Sequence, residues 1–434
     1  MIKQTGTLGR IPLSSELAYG DLILNYRDGK LYYKGYDNII RSFSVEAGDS
    51  ASFSWDFSRP SPNAIDYTGN KVTDIHRNMR RCLVLDNGTV NYYLNAFNSL
   101  LKEDGTASVL TGADGQVMVE IPQFYYKKIT IGTISTWSIA NVSLPGYVIH
   151  PAFIKDGVQV PYRYIGAYDA CVYDTSAAAY ISGLNLDNAD GILDYTADKL
   201  SSVSGAYPIV GITRAQGRTL AGLRGSGWRQ LDFWLVNAIQ LLYLIEYQSF
   251  YSQNLLGPGN TTDVYVTSSS VQEDSPHSIA GCSNSLGNAS TTLLSGKSAV
   301  TNPPTAFMSY RGIENFYGNS WAAVDGINLN NYIVYTNNTT SQFTDDTATN
   351  YINIGTAGAT SGYPIKFINK AFIPLSVGGS STTYITDYYY TASGWCVVFF
   401  GGAADVGAAA GAFYWYCGNA SSTRTRRIGS RLAR

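Results

Sequence analysis

Apolar and polar residues alternate through most of this chain, and one region in its middle breaks that rhythm. The opening segment "LSSELAYGDLILNYRDGKLYYKG" alternates on both sides of Asp28-Gly29. That dipeptide suits the left-handed positions of a tight turn, so a hairpin is predicted within residues 1–45. Two strands do not hold themselves together in water, so this unit is expected to pack on a neighbour, another copy of the chain being the candidate. From 46 to 115, Asn87-Gly88 in "DNGTVNYYL", then "EDGT" and "GADGQ", punctuate short runs and predict a β connector with little helix. "GQVMVEIPQFYYKKITI" and "YRYIGAYDACVYD" are rich in β-branched and aromatic residues and read as strands.

The break in rhythm is helical. Thr213 stands where it can cap "RAQGRTLAGLRG", a helix expected to stop at Gly225. After "SGW", the run "RQLDFWLVNAIQLLYLIEYQSFYSQN" places Leu231, Leu235, Ala238, Leu242 and Ile245 at spacings of three and four. This predicts a long helix with a wide apolar face. Beyond Asn254 that spacing does not return. Gly, Asn, Ser and Thr dominate, with short aromatic strands, and 257–305 is expected to be an ordered loop, with a disordered insertion as the alternative. Strands, two helices, then a loop-rich β region make an α+β plan rather than a doubly wound one. No internal repeat of roughly 20–50 residues is present.

Composition narrows the classes. The chain has 434 residues and is 45% hydrophobic, enough for a sizeable core and too apolar for a disordered protein. A net charge of −2 gives no electrostatic footprint for nucleic acid. Only 14% of residues are charged, while 34 are Tyr. Tyr-rich, uncharged polar surfaces are typical of binding proteins, because Tyr offers a large contact area at low entropy cost. The start "MIKQTGTLGRIPLSSEL" has no apolar signal-peptide core, and the most apolar run, "FWLVNAIQLLYLIEY", carries Asn237, Gln240 and Glu246. The expectation is a soluble chain made in the cytoplasm, with no classical export and no membrane insertion. Cys82, Cys171, Cys282, Cys396 and Cys417 are odd in number and scattered, which favours free thiols.

Candidate chemistry is thin. His76, His150 and His277 have no metal-ligand spacing, and no GxSxG elbow is present. His150, next to Pro151 in "VIHPAF", reads as structural. Asp325 and Glu314 are the candidates for a glycosidase pair, but ion pairing and turn capping account for them more simply. No phosphate-binding or dinucleotide fingerprint occurs. "DGINLNN" offers oxygen donors without an EF-hand loop. "TRTRR" suits a phosphate or an acidic sugar, with a solvated loop as the plainer reading. No catalytic residue, metal or cofactor is expected.

Several segments carry a resemblance. "RGIENFYGNSWAAVDGIN" (311–328) resembles the "RG-EN-GN-WEWVDG" signature of the formylglycine-generating-enzyme-like branch of the C-type lectin fold. "GITRAQGRTLAGLRGSGWRQLDFWLVNAIQLLYLIEYQS" resembles the two helices of that fold. "GWCVVFFGG…AGAFYWY…IGSRLAR" resembles the closing segment of variable proteins made by diversity-generating retroelements. "VMVEIPQFYYKK" and the N-terminal segment resemble phage tail-fibre proteins.

The resemblance implies a phage receptor-binding protein on the virion tail. Its partners would be a host cell-surface receptor (protein or glycan), other tail proteins, and itself as a homotrimer. It implies a C-terminal C-type lectin fold preceded by a small N-terminal β hairpin or prism unit and a β connector. Residues 1–45 would be for oligomerisation and virion attachment, 46–115 for connection, and 116–434 for receptor binding, with a variable segment at about 394–434.

In that family an adenine-directed process rewrites chosen codons, usually AAC, which cannot then encode Lys, Glu, Gln, Met or Trp. The tail from Gly394 holds no Lys, Glu, Gln or Met. The implied receptor readers are Ala403, Ala404, Asp405, Val406, Ala408, Ala409, Tyr416, Gly418, Thr423, Arg424, Thr425, Arg426 and Arg427. Trp395, Val397, Phe399, Phe413, Tyr414, Trp415, Ile428 and Leu432 would be framework, with Arg311 and Arg431 as buried, paired arginines. A small apolar cluster beside a basic one predicts a shallow patch with an arginine rim, suited to an acidic glycan or acidic protein loop. The alternatives are a non-variable fibre protein of the same fold, a polysaccharide depolymerase, or a formylglycine-generating-type enzyme. Ala322 and Ala323 stand where that signature has Glu and Trp, which weighs against the enzyme.

Overall fold

The runs on either side of Asp28-Gly29 pair as antiparallel strands, Leu22–Asn25 with Lys30–Lys34. Ile2–Thr5 and Ile40–Ser44 flank them, so the hairpin is the centre of a four-stranded sheet. Leu17, Ile23 and Tyr32 form its small buried cluster. The computed structural model describes residues 2–5, 10–25, 30–44, 49–62, 71–181, 191–262, 277–291 and 306–434. The Asp28-Gly29 turn itself, and 263–276 and 292–305 of the expected loop, lie outside them.

The fold is mostly β with few helices, around a curled half-barrel sheet. A seven-stranded sheet runs in the order Arg229–Gln230, Leu432–Ala433, Tyr162–Gly166, Gln116–Pro122, Arg80–Val84, Val90–Asn95, Asn98–Lys102. It crosses the boundary drawn at 115: Arg80–Val84 pairs along its whole length with Gln116–Pro122, Cys82 opposite Met118. A four-stranded sheet also draws Ser50–Asp56 against Ile134–Ala140. Residues read as a connector are thus built into the body of the molecule.

Thr213 caps the helix Arg214–Gly222. Its Oγ1 accepts from Gln216 N, and the Gln216 side chain returns to Thr213 N at 2.8 Å, a reciprocal capping box. The long helix is Phe233–Tyr247, capped by Asp232, whose Oδ1 accepts from Leu235 N at 3.1 Å. It is shorter than the apolar spacing suggested. Arg229–Gln230 pairs instead with Leu432–Ala433, and Gln248, in the left-handed region at φ 55°, ends the helix. Every residue from Phe233 to Tyr247 is buried, so the element is the central strut of the core and not a one-faced helix. Two of its polar residues are partnered: Gln240 Nε2 donates to Ala412 O at 2.9 Å, and Glu246 pairs with Arg311 at 2.5 Å.

The second large sheet runs Ile352–Thr356, Ile333–Thr336, Trp321–Asn330, Trp395–Phe400, Trp415–Asn419, Tyr389–Thr391, with Ile428–Gly429 alongside Trp321. One face, with Val398, Phe400, Trp415 and Tyr389, packs into the main core. The opposite face carries the candidate site.

Buried arginines tie these layers together. Arg431 reaches Asp169 at 2.5 Å and the carbonyls of Gly166, Glu314 and Asn315. Arg218 holds Asp325 at 2.7 and 2.8 Å, and Arg214 donates to Asn328 Oδ1 at 2.5 Å. The side-chain oxygens of Asp325 and Asn328 in "DGINLNN" therefore serve arginines, and Asn331 Oδ1 accepts from Gly394 N at 3.0 Å. Glu314 accepts from Gly281 N and from Ser283 N, which makes it a loop anchor. The five cysteines are free thiols, four of them buried. Among the described residues no helix is long and apolar enough to cross a membrane.

Candidate functional site

Tyr389–Thr391 and Trp415–Asn419 run parallel, with Tyr389 opposite Trp415 and Tyr390 opposite Tyr416. Side chains alternate along a strand, so Tyr389 and Trp415 enter the core while Tyr390 and Tyr416 face outward. The Tyr390 and Tyr416 rings stack 4.9 Å apart at 26°. Tyr416 meets Trp321 at 4.8 Å, Tyr390 meets Tyr388 at 4.6 Å, and Tyr388 meets Tyr363 edge-on at 5.0 Å. The result is an unbroken aromatic row: Tyr363, Tyr388, Tyr390, Tyr416, Trp321.

These rings and Tyr414 line a pocket of about 480 Å³, completed by Asp405, Val406, Ala409 and Arg427. The Arg427 guanidinium donates from Nε to Asp405 Oδ2 at 2.9 Å, so the pocket carries both signs of charge on one wall. Two donors at the aromatic wall are unspent. The Trp321 Nε1–H and the Tyr414 hydroxyl adjoin each other, and neither atom has another partner. Burial holds that hydroxyl well above the usual tyrosine range, hence protonated. A buried polar atom left without a partner costs about 1–3 kcal/mol.

Asp387, next to Tyr388 in the chain, is buried on the core side and does not line the pocket. Its carboxyl accepts from Ser252 Oγ at 2.7 Å and from Phe413 N at 2.8 Å, and burial pushes its pKa up to about 7. Above it the 401–410 loop closes on Gly402 (φ 89°). A Cβ there would lie 2.6 Å from the Ala410 Cβ.

Asp405, Val406, Ala409, Tyr416 and Arg427 come together in this pocket. Ala408 is exposed beside it, and Gly418, Thr423, Arg424, Thr425 and Arg426 are half-buried outside its lining. Ala403 and Ala404 are corrected: both are fully buried, at 0% exposure, on the inner turn of the loop. Ala404 N donates to Asn319 O at 3.0 Å, so the turn is packed inward and no ligand reaches it. The predicted shallow patch with an arginine rim is also corrected. The surface is a tyrosine-lined pocket, and Arg427 is partnered by Asp405. The "TRTRR" backbone is pinned, because Thr425 O accepts from Gly211 N at 3.1 Å and from Ile428 N at 2.9 Å. Of the framework set, Trp395 is only half-buried, and Tyr414 turns to the pocket.

Sequence reasoning missed Trp321, Tyr363, Tyr388 and Tyr390. The available signal was the pairing of two aromatic runs, "DYYY" (387–390) and "FYWY" (413–416), each alternating between core and outside.

Catalytic and metal chemistry finds no support in the histidines. His76 is held by Thr73 and by Leu242 O. Burial pushes His150 and His277 down to about 3, so both are neutral rings inside the protein. Among the described residues no group of three or more His, Cys, Asp or Glu is placed to hold a metal ion.

No protein-family model matches this chain, and no curated protein matches it.

Proposed function

We propose that the protein is a phage tail-fibre receptor-binding protein with a C-terminal C-type lectin fold, whose binding face is diversified by a retroelement. The observation that carries the reading is convergence. Asp405, Val406 and Ala409 from one loop, Tyr416 from a strand and Arg427 from a second loop meet around one aromatic pocket. Buried residues separate them in sequence: Trp415 and Cys417 flank Tyr416, and Ile428 follows Arg427. A site in which fixed core residues alternate with outward ones suits a surface whose chemistry changes while its scaffold does not.

The lectin-type part of the reading is supported by the pairing of a late strand with an early one (Ala433 opposite Ile165), by two helices between them, and by the second sheet that bears the pocket. Self-association fits the N-terminal sheet, where Ile11, Leu13, Tyr19, Tyr36 and Ile39 are exposed together on a small unit. A trimer would multiply weak single contacts by about 10²–10⁴.

The test is adhesion. Fluorescently labelled full-length protein is applied to a panel of bacterial cells, and Tyr390→Ala and Tyr416→Ala are compared with it. Adhesion to some cells, lost in both variants with the folded state intact, is expected. No adhesion to any cell, or variants that adhere equally, would overturn the reading.

A further inference from the structure

A second pocket, of about 260 Å³, lies between the hairpin Tyr125–Ile131 and Ile134–Ala140 on one side and the turn at 369–372 on the other. It shares no residue with the tyrosine pocket. Lys127, Lys128 and Lys370 border it, and no Asp or Glu lines it. Lys128 is the informative one. Its ammonium donates to Asn369 O at 2.9 Å and Ile368 O at 3.2 Å and lies 5.2 Å from the centre of the Trp137 ring. Carbonyls and a ring face solvate this cation without neutralising it. Burial, and then the nearby Lys366, lower its pKa to about 8. The pocket holds positive charge with no counter-charge of its own.

The inner wall adds a directed donor. Asn237 projects from the central helix and is buried. His150 Nδ1 accepts from Ala152 N at 3.2 Å, so the proton of this neutral ring sits on Nε2 and is donated to Asn237 Oδ1 at 3.2 Å. That bond fixes which way the amide points. The oxygen is spent on His150, and the Nδ2 amide group has no partner. An unspent NH₂ and three ammonium groups all seek an acceptor carrying negative charge. Tyr126, half-buried, supplies a flat apolar wall against which the C–H face of a sugar ring can stack, while Trp137 and Phe372 are buried, the Trp137 ring covered by Phe53, Phe372 and the Lys128 ammonium.

We propose that this pocket binds a carboxylated sugar residue, with the carboxylate at the lysines and the Asn237 amide and the ring against Tyr126. A carboxylate satisfies the charge, and the ring satisfies the Tyr126 wall, which an inorganic anion would leave uncovered. The volume admits one such residue and not a folded peptide segment. The proposal stands on its own geometry, independently of the adhesion reading.

The experiment titrates full-length protein with glucuronate, glucose and inorganic phosphate, following tryptophan fluorescence and ligand saturation-transfer NMR. Glucuronate is expected to bind, with salt weakening it as screening requires, and glucose and phosphate are expected to bind at least about tenfold more weakly. Lys127→Gln and Lys370→Gln, at half-buried and exposed positions where folding tolerates change, are each expected to lower glucuronate affinity about tenfold without shifting thermal unfolding. Tyr126→Ala is expected to keep the anion preference and weaken binding. No glucuronate binding, equal binding of glucose, equal binding of phosphate, or binding indifferent to both lysine variants would each overturn the proposal. Adhesion through the tyrosine pocket is measured separately and is expected to survive both lysine variants.

Discussion

Tyr390 and Tyr416 sit opposite each other on parallel strands, their rings 4.9 Å apart, and they form the middle of the aromatic row. Stacked aromatic pairs contribute about 0.5–1.5 kcal/mol beyond the area they bury. Tyr416→Ala is therefore expected to lower unfolding free energy only modestly, by about 1–2 kcal/mol, while abolishing adhesion. Tyr416→Phe keeps the stack and is expected to keep most of the stability. Urea unfolding and cell adhesion, measured on the same samples, separate the two effects.

Asp387 gives a pH signature. Burial raises its folded-state pKa to about 7 from 3.8. A raised acid binds its proton more tightly in the folded state, so its contribution to stability is complete below about pH 4 and is lost as pH rises through about 7. Thermal unfolding of the native protein is expected to show this loss between pH 4 and 7.5. Asp387→Asn imitates the neutral acid and is expected to remove this component of the slope. A variant whose slope matches the native protein would contradict the assignment.

Arg431 and Asp169 form a buried pair at 2.5 Å. Removing one partner strands the other charge in the core, at a cost of about 3–5 kcal/mol. Asp169→Ala is expected to shift the urea midpoint accordingly, and Arg431→Met with Asp169→Leu together to cost less than Asp169→Ala.

Burial sharpens the expected pattern of diversification. Sibling copies of the gene are expected to differ at Asp405, Val406, Ala408, Ala409, Tyr416 and the Thr423–Arg427 run, and to keep Ala403 and Ala404. Ala403→Arg is expected to destabilise the fold and Ala408→Arg to be tolerated, as read by thermal unfolding. Differences spread evenly over the chain would count against a retroelement.

Light scattering of the full chain is expected to give three copies. Tyr36→Asp with Ile39→Asp places charges on the exposed N-terminal apolar surface and is expected to yield monomers that retain the tyrosine pocket.

The parts of this molecule legible in the sequence were those set by local chemistry. Thr213 and Asp232 cap helices because their side chains reach backbone N–H groups three residues on, and a hairpin forms around Asp28-Gly29 because the flanking runs alternate. What depended on distant pairing was not legible. No local pattern tells that Arg80–Val84 lies against Gln116–Pro122, or that Tyr389–Thr391 runs parallel to Trp415–Asn419. The aromatic row exists only because of that parallel pairing, so half of the candidate site was invisible. Ala403 and Ala404 misled for the opposite reason. Small residues read equally well as a free surface and as a tight inner turn, and only the Asn319 contact decides between them.

The strand Leu432–Ala433 lies between Arg229–Gln230 and Tyr162–Gly166, with Ala433 opposite both Arg229 and Ile165. During synthesis those two older strands wait for their shared neighbour, and the sheet stays an open seam until Ala433 has cleared the ribosome. Such long-range closure is slow and leaves strand edges unprotected meanwhile. A chain without Leu432–Ala433 leaves Arg229–Gln230 and Tyr162–Gly166 as two unpaired edges with the seam between them open.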